Sequence, residues 1–180
     1  MKEINLKIKK LYDGVPSPTY GTNGSACIDL TAMSRFYDKN GNVVYGTGIA
    51  MEIPEGYVGL LFPRSSITKK DIIVKNCVGV IDSDYRGEIM LKCCPTLGFG
   101  NYDNCNTDGE VILDKRYGID TDQDFYENTF HLDGDINNHY KIGDKCCQIM
   151  LVKIPKLNIE VVDELSDTER GAGGYGHTGN

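Results

Sequence analysis

The chain has 180 residues, 40% of them hydrophobic, 25% charged, and a formal net charge of -7. That length buries a core without cross-links and predicts one domain over residues 1–180. Its longest apolar runs, such as CCQIMLV (146–152), are too short to span a bilayer, and the opening MKEINLKIKK alternates charged with apolar residues where a signal peptide is uniformly apolar, so no membrane role and a cytoplasmic location are expected.

The charge is unevenly spread. Between residues 101 and 140 ten acids stand against Lys115 and Arg116, so that segment carries -8 and the remainder +1. A near-neutral body with one acidic segment lacks the basic face of a nucleic-acid binder, and an anionic ligand would have to be met by local arginines. The seven cysteines are odd in number and include two adjacent pairs, Cys93–Cys94 and Cys146–Cys147. This predicts reduced core thiols rather than a disulfide framework, and the three histidines do not supply zinc-ligand spacing.

In chain order the predicted strands are INLKIKKL (4–11), CIDLTA (27–32), YVGLLF (57–62), DIIVK (71–75), EIMLKCC (88–94), EVILD (110–114), KCCQIMLVKI (145–154) and IEVVDEL (159–165). Turn clusters such as YDKNGN and IPEGY separate them, and a single helical turn is expected after Ser65. No window keeps helical periodicity for ten positions, so the fold class is all-β, a sandwich or barrel. Gly79 and Gly87 bracket VIDSDYR, which reads as a hairpin turning on Asp82, Ser83 and Asp84.

Within the acidic segment, Asp120, Asp122 and Asp124 have the first spacings of a calcium loop. The match fails because Phe125 stands where glycine is required and His131 where a bidentate glutamate belongs. The closing RGAGGYGHTGN contains G-x-G-x-x-G at Gly171, Gly173 and Gly176, but no strand-turn-helix context for a dinucleotide site follows. Its glycines are costly to order, and residues 166–180 are expected to form a mobile tail. Elsewhere, PRSS (63–66) offers a guanidinium fork and two hydroxyls at a strand end, suited to phosphate oxygens. Arg170 followed by glycines suits phosphate too.

Taken in order, ACIDL, PRSS, NCVGVIDSDYRGEI, GDKCCQ and RGAGGYGHTG resemble the five motifs of the homotrimeric dUTPase family. The resemblance runs from about residue 25 to the C-terminus and breaks only between the third and fourth motifs. It implies a jelly-roll-type β-barrel, three active sites at subunit interfaces, and Mg2+-dependent splitting of dUTP into dUMP and pyrophosphate. That reaction limits uracil incorporation into DNA and supplies dUMP for thymidylate synthesis.

By the same resemblance Asp82 is the catalytic carboxylate that activates water, and Tyr85 packs under the deoxyribose and excludes a 2′-hydroxyl. Asn76, with the backbone of Gly79, Val80 and Ile81, reads the uracil edge, and Met90 lines the base pocket. Arg64, Ser65 and Ser66 grip phosphate, Gln148 adds a phosphate contact, and Asp29 holds Mg2+ through water. In the tail, Arg170 reaches the γ-phosphate and Tyr175, flanked by Gly174 and Gly176, stacks on uracil, with a neighbouring subunit's site as the target. His177 stands where the family has serine, and Asp71 appears where a glycine is usual.

Sixty residues separate Asp82 from Gly143, where a strand, a turn and a strand need about 25. The excess, placed at 101–140, resembles the extra segment of staphylococcal phage dUTPases and is a candidate surface for a regulatory protein partner. Two alternatives stay open: a dCTP deaminase or bifunctional relative, disfavoured because the deaminase branch carries glutamate where Asp82 stands, and a nucleotide sensor whose acidic insertion is the output.

Overall fold

A computed structural model describes residues 4–96 and 138–174. Most of the acidic insertion, with the expected strand 110–114, and the tail residues Tyr175, Gly176 and His177 lie outside the described residues.

The described strands are β1 (Lys7–Lys10), β2 (Thr19–Tyr20), β3 (Ile28–Thr31), β4 (Ser34–Tyr37), β5 (Val43–Glu52), β6 (Tyr57–Pro63), β7 (Ile72–Val74), β8 (Gly79–Ile81), β9 (Glu88–Pro95) and β10 (Lys145–Lys153). A 3-10 turn, Ser65–Lys69, is the only helical element among the described residues. One sheet runs β1-β5-β9-β7 with β4 also on β5, the other β2-β3-β10-β6-β8, and every pairing is antiparallel. The all-β, jelly-roll-type expectation holds.

The core fills the space between the sheets. Leu30, Leu61, Cys146 and Ile149 of the second sheet meet Val43, Tyr45, Ile49, Ile89, Leu91 and Cys93 of the first. β9 alternates buried with more exposed residues, its Ile89, Leu91 and Cys93 buried. Cys93, Cys146 and Cys147 are buried core thiols, whereas Cys27 and Cys94 are half-buried and Cys77 is exposed, so the core reading fits three of the six described cysteines; burial pushes the Cys93 thiol up to about 12.

β5 was not among the predicted strands. Every residue from Val43 to Met51 is buried, which erases the alternation that marks a strand, and Gly46, Thr47 and Gly48 interrupt it. That interruption is a bulge, because the register against β9 shifts between Gly46 and Ala50. Gly48 sits at φ +66°, and a Cβ there would meet the Tyr12 ring at 2.9 Å. The Glu88 carboxylate closes the bulge by accepting the Gly48 N–H at 2.6 Å, while Thr47 Oγ1 donates to the Ile89 carbonyl at 2.7 Å.

Two other expectations change. Residues 159–165 join no sheet: Lys153 to Ala172 are all exposed, with Leu157, Ile159 and Val161 at 76%, 84% and 94%. The stretch 80–86 turns as expected, with Tyr85 N donating to the Asp82 carbonyl at 3.2 Å, but it is not a hairpin. β8 pairs with β6 and β9 with β5 and β7, so the turn carries the chain from one sheet to the other.

Candidate active site

The PRSS segment continues β6 directly. Arg64 keeps extended backbone and its carbonyl accepts Ile67 N–H at 3.0 Å, which starts the 3-10 turn and places both serines in its first residues. Arg64 Nε donates to Asp29 Oδ1 at 2.8 Å and Lys145 Nζ to Asp29 Oδ2 at 2.9 Å. The Asp29 side chain is only 10% exposed, so this carboxylate orders two half-exposed cations at the ends of β6 and β10. Gln148 pairs in register with both Asp29 and Phe62, and its amide donates to the Pro63 carbonyl at 2.9 Å. Arg64, Ser65, Ser66, Gln148 and Asp29 therefore converge, and two groups the motifs did not single out join them: Lys145, and Tyr140, whose hydroxyl is 3.0 Å from Ser66 Oγ.

Asp82 lies elsewhere. β8 runs antiparallel to β6 with Ile81 opposite Gly59 and Gly79 opposite Leu61, so continuing the register sets Asp82 beside Val58. Six strand steps then separate Asp82 from Arg64, about 20 Å at ordinary strand rise. Asp82 instead opens on a cavity of about 650 Å3 shared with Glu52, Pro54, Tyr57, Arg86 and Ile154.

The Tyr85 ring is fixed within the turn that follows Asp82. Its hydroxyl donates to the Glu88 carbonyl at 3.1 Å, and the ring lies so close over Gly87 that a Cβ there would come within 2.6 Å of Cζ. Glu88 anchors this arrangement to the β5 bulge; burial raises its carboxyl above the usual range.

β8 is an edge strand among the described residues, which leaves one side of its backbone free for hydrogen bonds. Leading into it, Val78 N–H donates to the Asn76 carbonyl at 2.6 Å across Cys77, held at φ 60°. This tight turn, in a conformation that non-glycine residues rarely adopt, sets the approach of Asn76 to the edge. Met90 lies on β9 opposite Gly46, half-buried. Asp71, the departure from the family pattern, is held by its backbone: its N–H donates to the Asn138 carbonyl and its carbonyl accepts Thr96 N–H.

With this geometry in place, the comparisons decide the family. The dUTPase family model matches residues 13–95. The deoxyuridine 5'-triphosphate nucleotidohydrolase of Dictyoglomus turgidum is 31% identical over 182 residues, covering 98% of this chain and 99% of its own. The same-named protein of Finegoldia magna is 34% identical over 172 residues, covering 91% and 92%. The chain belongs to the dUTPase family.

Among solved structures, a dUTPase of Staphylococcus bacteriophage 80alpha with dUpNHpp superposes with a TM-score of 0.68 at 23% identity, covering 98% of this chain and 99% of its own. The dUTPase of phage phi11, described as showing a species-specific insert, superposes at 0.61 with 22% identity, covering 92% and 100%. These place the chain in the dUTPase fold and bring it close in shape to phage enzymes.

Of the tail, the structure describes Arg170 and Gly174 but not Tyr175 or Gly176. Arg170 Nε donates to the Gly173 carbonyl at 2.8 Å, and Gly171 takes φ +52°, where a side chain is disfavoured. No described helix is long and apolar enough to cross a membrane.

Proposed function

We infer that the chain is a dUTP diphosphatase, with Asp82 drawing the proton from a water whose oxygen attacks the α-phosphorus while pyrophosphate departs. The observation that carries the reading is the Asp82–Gly87 turn, where an exposed carboxylate stands beside an aromatic ring pressed onto a glycine. A ring fixed at its hydroxyl end, by the Glu88 carbonyl and by close packing on Gly87, offers a platform for a deoxyribose, the role that family resemblance gives Tyr85 in excluding a 2′-hydroxyl. The free edge of β8 supplies fixed backbone donors and acceptors to a uracil. A cytosine would leave them facing groups of the same kind, at about 1–3 kcal/mol for each unpaired group.

Arg64, Lys145, Ser65, Ser66 and Gln148 form the opposite half of the site, a cationic and hydroxyl-lined grip for the triphosphate. Mg2+ fits this donor set. Among the described residues no three acids, histidines or cysteines are grouped to cage a metal, as suits an ion whose direct ligands are phosphates and water, with Asp29 the carboxylate to hold it through water. When bound it supplies charge neutralisation on the leaving pyrophosphate.

The separation of Asp82 from Arg64 along β6 in one chain, about 20 Å at ordinary strand rise, supports a site shared between chains. A nucleotide gripped by Arg64 of one copy meets Asp82 of another, and a homotrimer closes three such sites. The exposed apolar residues of 157–165 support the same assembly, since a period-two pattern that pairs with no strand among the described residues is available to a neighbour's. The exposure of every residue from Lys153 to Ala172 supports a role for Arg170 at a neighbouring subunit's site. The -8 segment at 101–140 favours an added role as a surface for a basic protein partner.

Pyrophosphate release from dUTP, dCTP, dTTP and UTP with Mg2+ tests the reading. Turnover is expected with dUTP alone, and Asp82→Asn is expected to lower it about 10²–10⁴-fold. Equal turnover of dCTP, or an unimpaired variant, would sink the assignment.

A further inference from the structure

Tyr140 lies three residues before Gly143, where the fourth motif begins, and none of the family positions carried over to this chain includes it. It is 2% exposed, its ring meets Tyr45 edge-on at 5.6 Å, and its N–H donates to Tyr45 Oη at 3.3 Å. Lys70 Nζ stands 5.3 Å from the ring centroid while donating to the His139 carbonyl at 3.1 Å. Ring and backbone are thus locked from three sides, and the one polar group at the tip, Oη, lies 3.0 Å from Ser66 Oγ.

We propose that Tyr140 is a positioning residue for phosphate binding, its buried hydroxyl fixing the Ser66 hydroxyl so that the serine's own proton points at the triphosphate. The inference rests on the dUTP reading above. A serine hydroxyl has one proton to donate and two lone pairs to accept with, and a free rotor divides its proton among several directions. A buried tyrosine hydroxyl needs an acceptor, and Ser66 Oγ is the one beside it. When Tyr140 donates to Ser66, one serine lone pair is occupied, the rotor is restricted, and the serine O–H is left for a phosphate oxygen. The chain of two hydroxyls also strengthens the outer donor, since each bond polarises the next.

This arrangement ties the phosphate grip to the C-terminal root of the insertion. The Asn138 carbonyl accepts the Asp71 N–H, the His139 carbonyl accepts Lys70 Nζ, and Tyr140 contacts Ser66, so three consecutive residues hold the 3-10 turn and the two residues after it.

The test is a double-mutant cycle on dUTP hydrolysis with wild type, Tyr140→Phe, Ser66→Ala and the pair. Tyr140→Phe keeps the ring and removes only the hydroxyl. The expected result is a roughly tenfold fall in kcat/KM, carried mainly by KM, as for the loss of about one hydrogen bond. In the Ser66→Ala background the same change has no further effect, while the thermal midpoint of Tyr140→Phe shows that the fold is kept. An active wild type with Tyr140→Phe indistinguishable from it, or with the two losses multiplying, overturns the positioning role and leaves the dUTPase reading standing. A wild type that does not hydrolyse dUTP overturns both.

Discussion

At the scale of single residues, Gly87 and Tyr85 make one device. Gly87→Ala puts a methyl group where the tyrosine ring lies, so the ring must leave its place over the backbone. The expected outcome is a weakened preference for dUTP over UTP together with a KM about tenfold higher, read from steady-state kinetics on both nucleotides. His139 gives a stability prediction at the same scale. It is 3% exposed with Nδ1 unpartnered, and burial, followed by the Arg35 charge, depresses its pKa to about 4 from an ordinary 6.5. Below 6.5 the unfolded chain takes up a proton that the folded chain refuses, so stability falls as pH drops from about 6.5 toward 4 and this contribution levels off below. Asp38, lowered to about 2 by bonds from Asn42 and Lys92 that outweigh its burial, loses its contribution in the next window down, from 3.8 to 2. Glu88 works in the opposite sense above 4.5, because its carboxyl is raised. Urea midpoints measured from pH 7 to 4 on wild type and His139→Gln isolate the histidine: the slope of the difference is expected to vanish outside that window.

At the scale of elements, the legible parts were those facing water on one side. β3, β6, β9 and β10 alternate because one face of each meets the core, and the sequence placed them within a residue or two. β5 was hidden because burial on both faces removes alternation and its bulge requires glycine, which reads as a loop. Residues 159–165 misled in the reverse direction, since alternation reports a partner strand without saying which chain supplies it. The turn at Asp82 was legible from its composition, but the sheet that each flanking strand joins depends on pairings far away in sequence. Tyr140 carried no motif signal, and Lys145, though inside the fourth motif, was given no role there; both became visible only through what they touch. The tail is an element with its own test. Truncation after Glu169 removes Arg170, whose described side-chain hydrogen bond stays within the tail, together with the glycines, so turnover is expected to fall at least tenfold with the thermal midpoint unchanged.

At the scale of the whole molecule, the sequence motifs gave the parts of a nucleotide site but not their distance apart, and the register of β6 with β8 separates them. One chain holds the proposed phosphate grip at one end of β6 and the proposed catalytic carboxylate toward the other, which is the basis for proposing a site shared between chains. This organisation predicts complementation. Arg64→Ala and Asp82→Asn each disable every site of their own homotrimer. In a mixed trimer, a site formed by Arg64 from one variant and Asp82 from the other is intact. The deciding measurement is dUTP hydrolysis after the two inactive variants are mixed, dissociated and reassembled. A site shared between chains predicts recovery of about a quarter of wild-type activity on random assortment, whereas a site contained within one chain would leave the mixture as inactive as its parents.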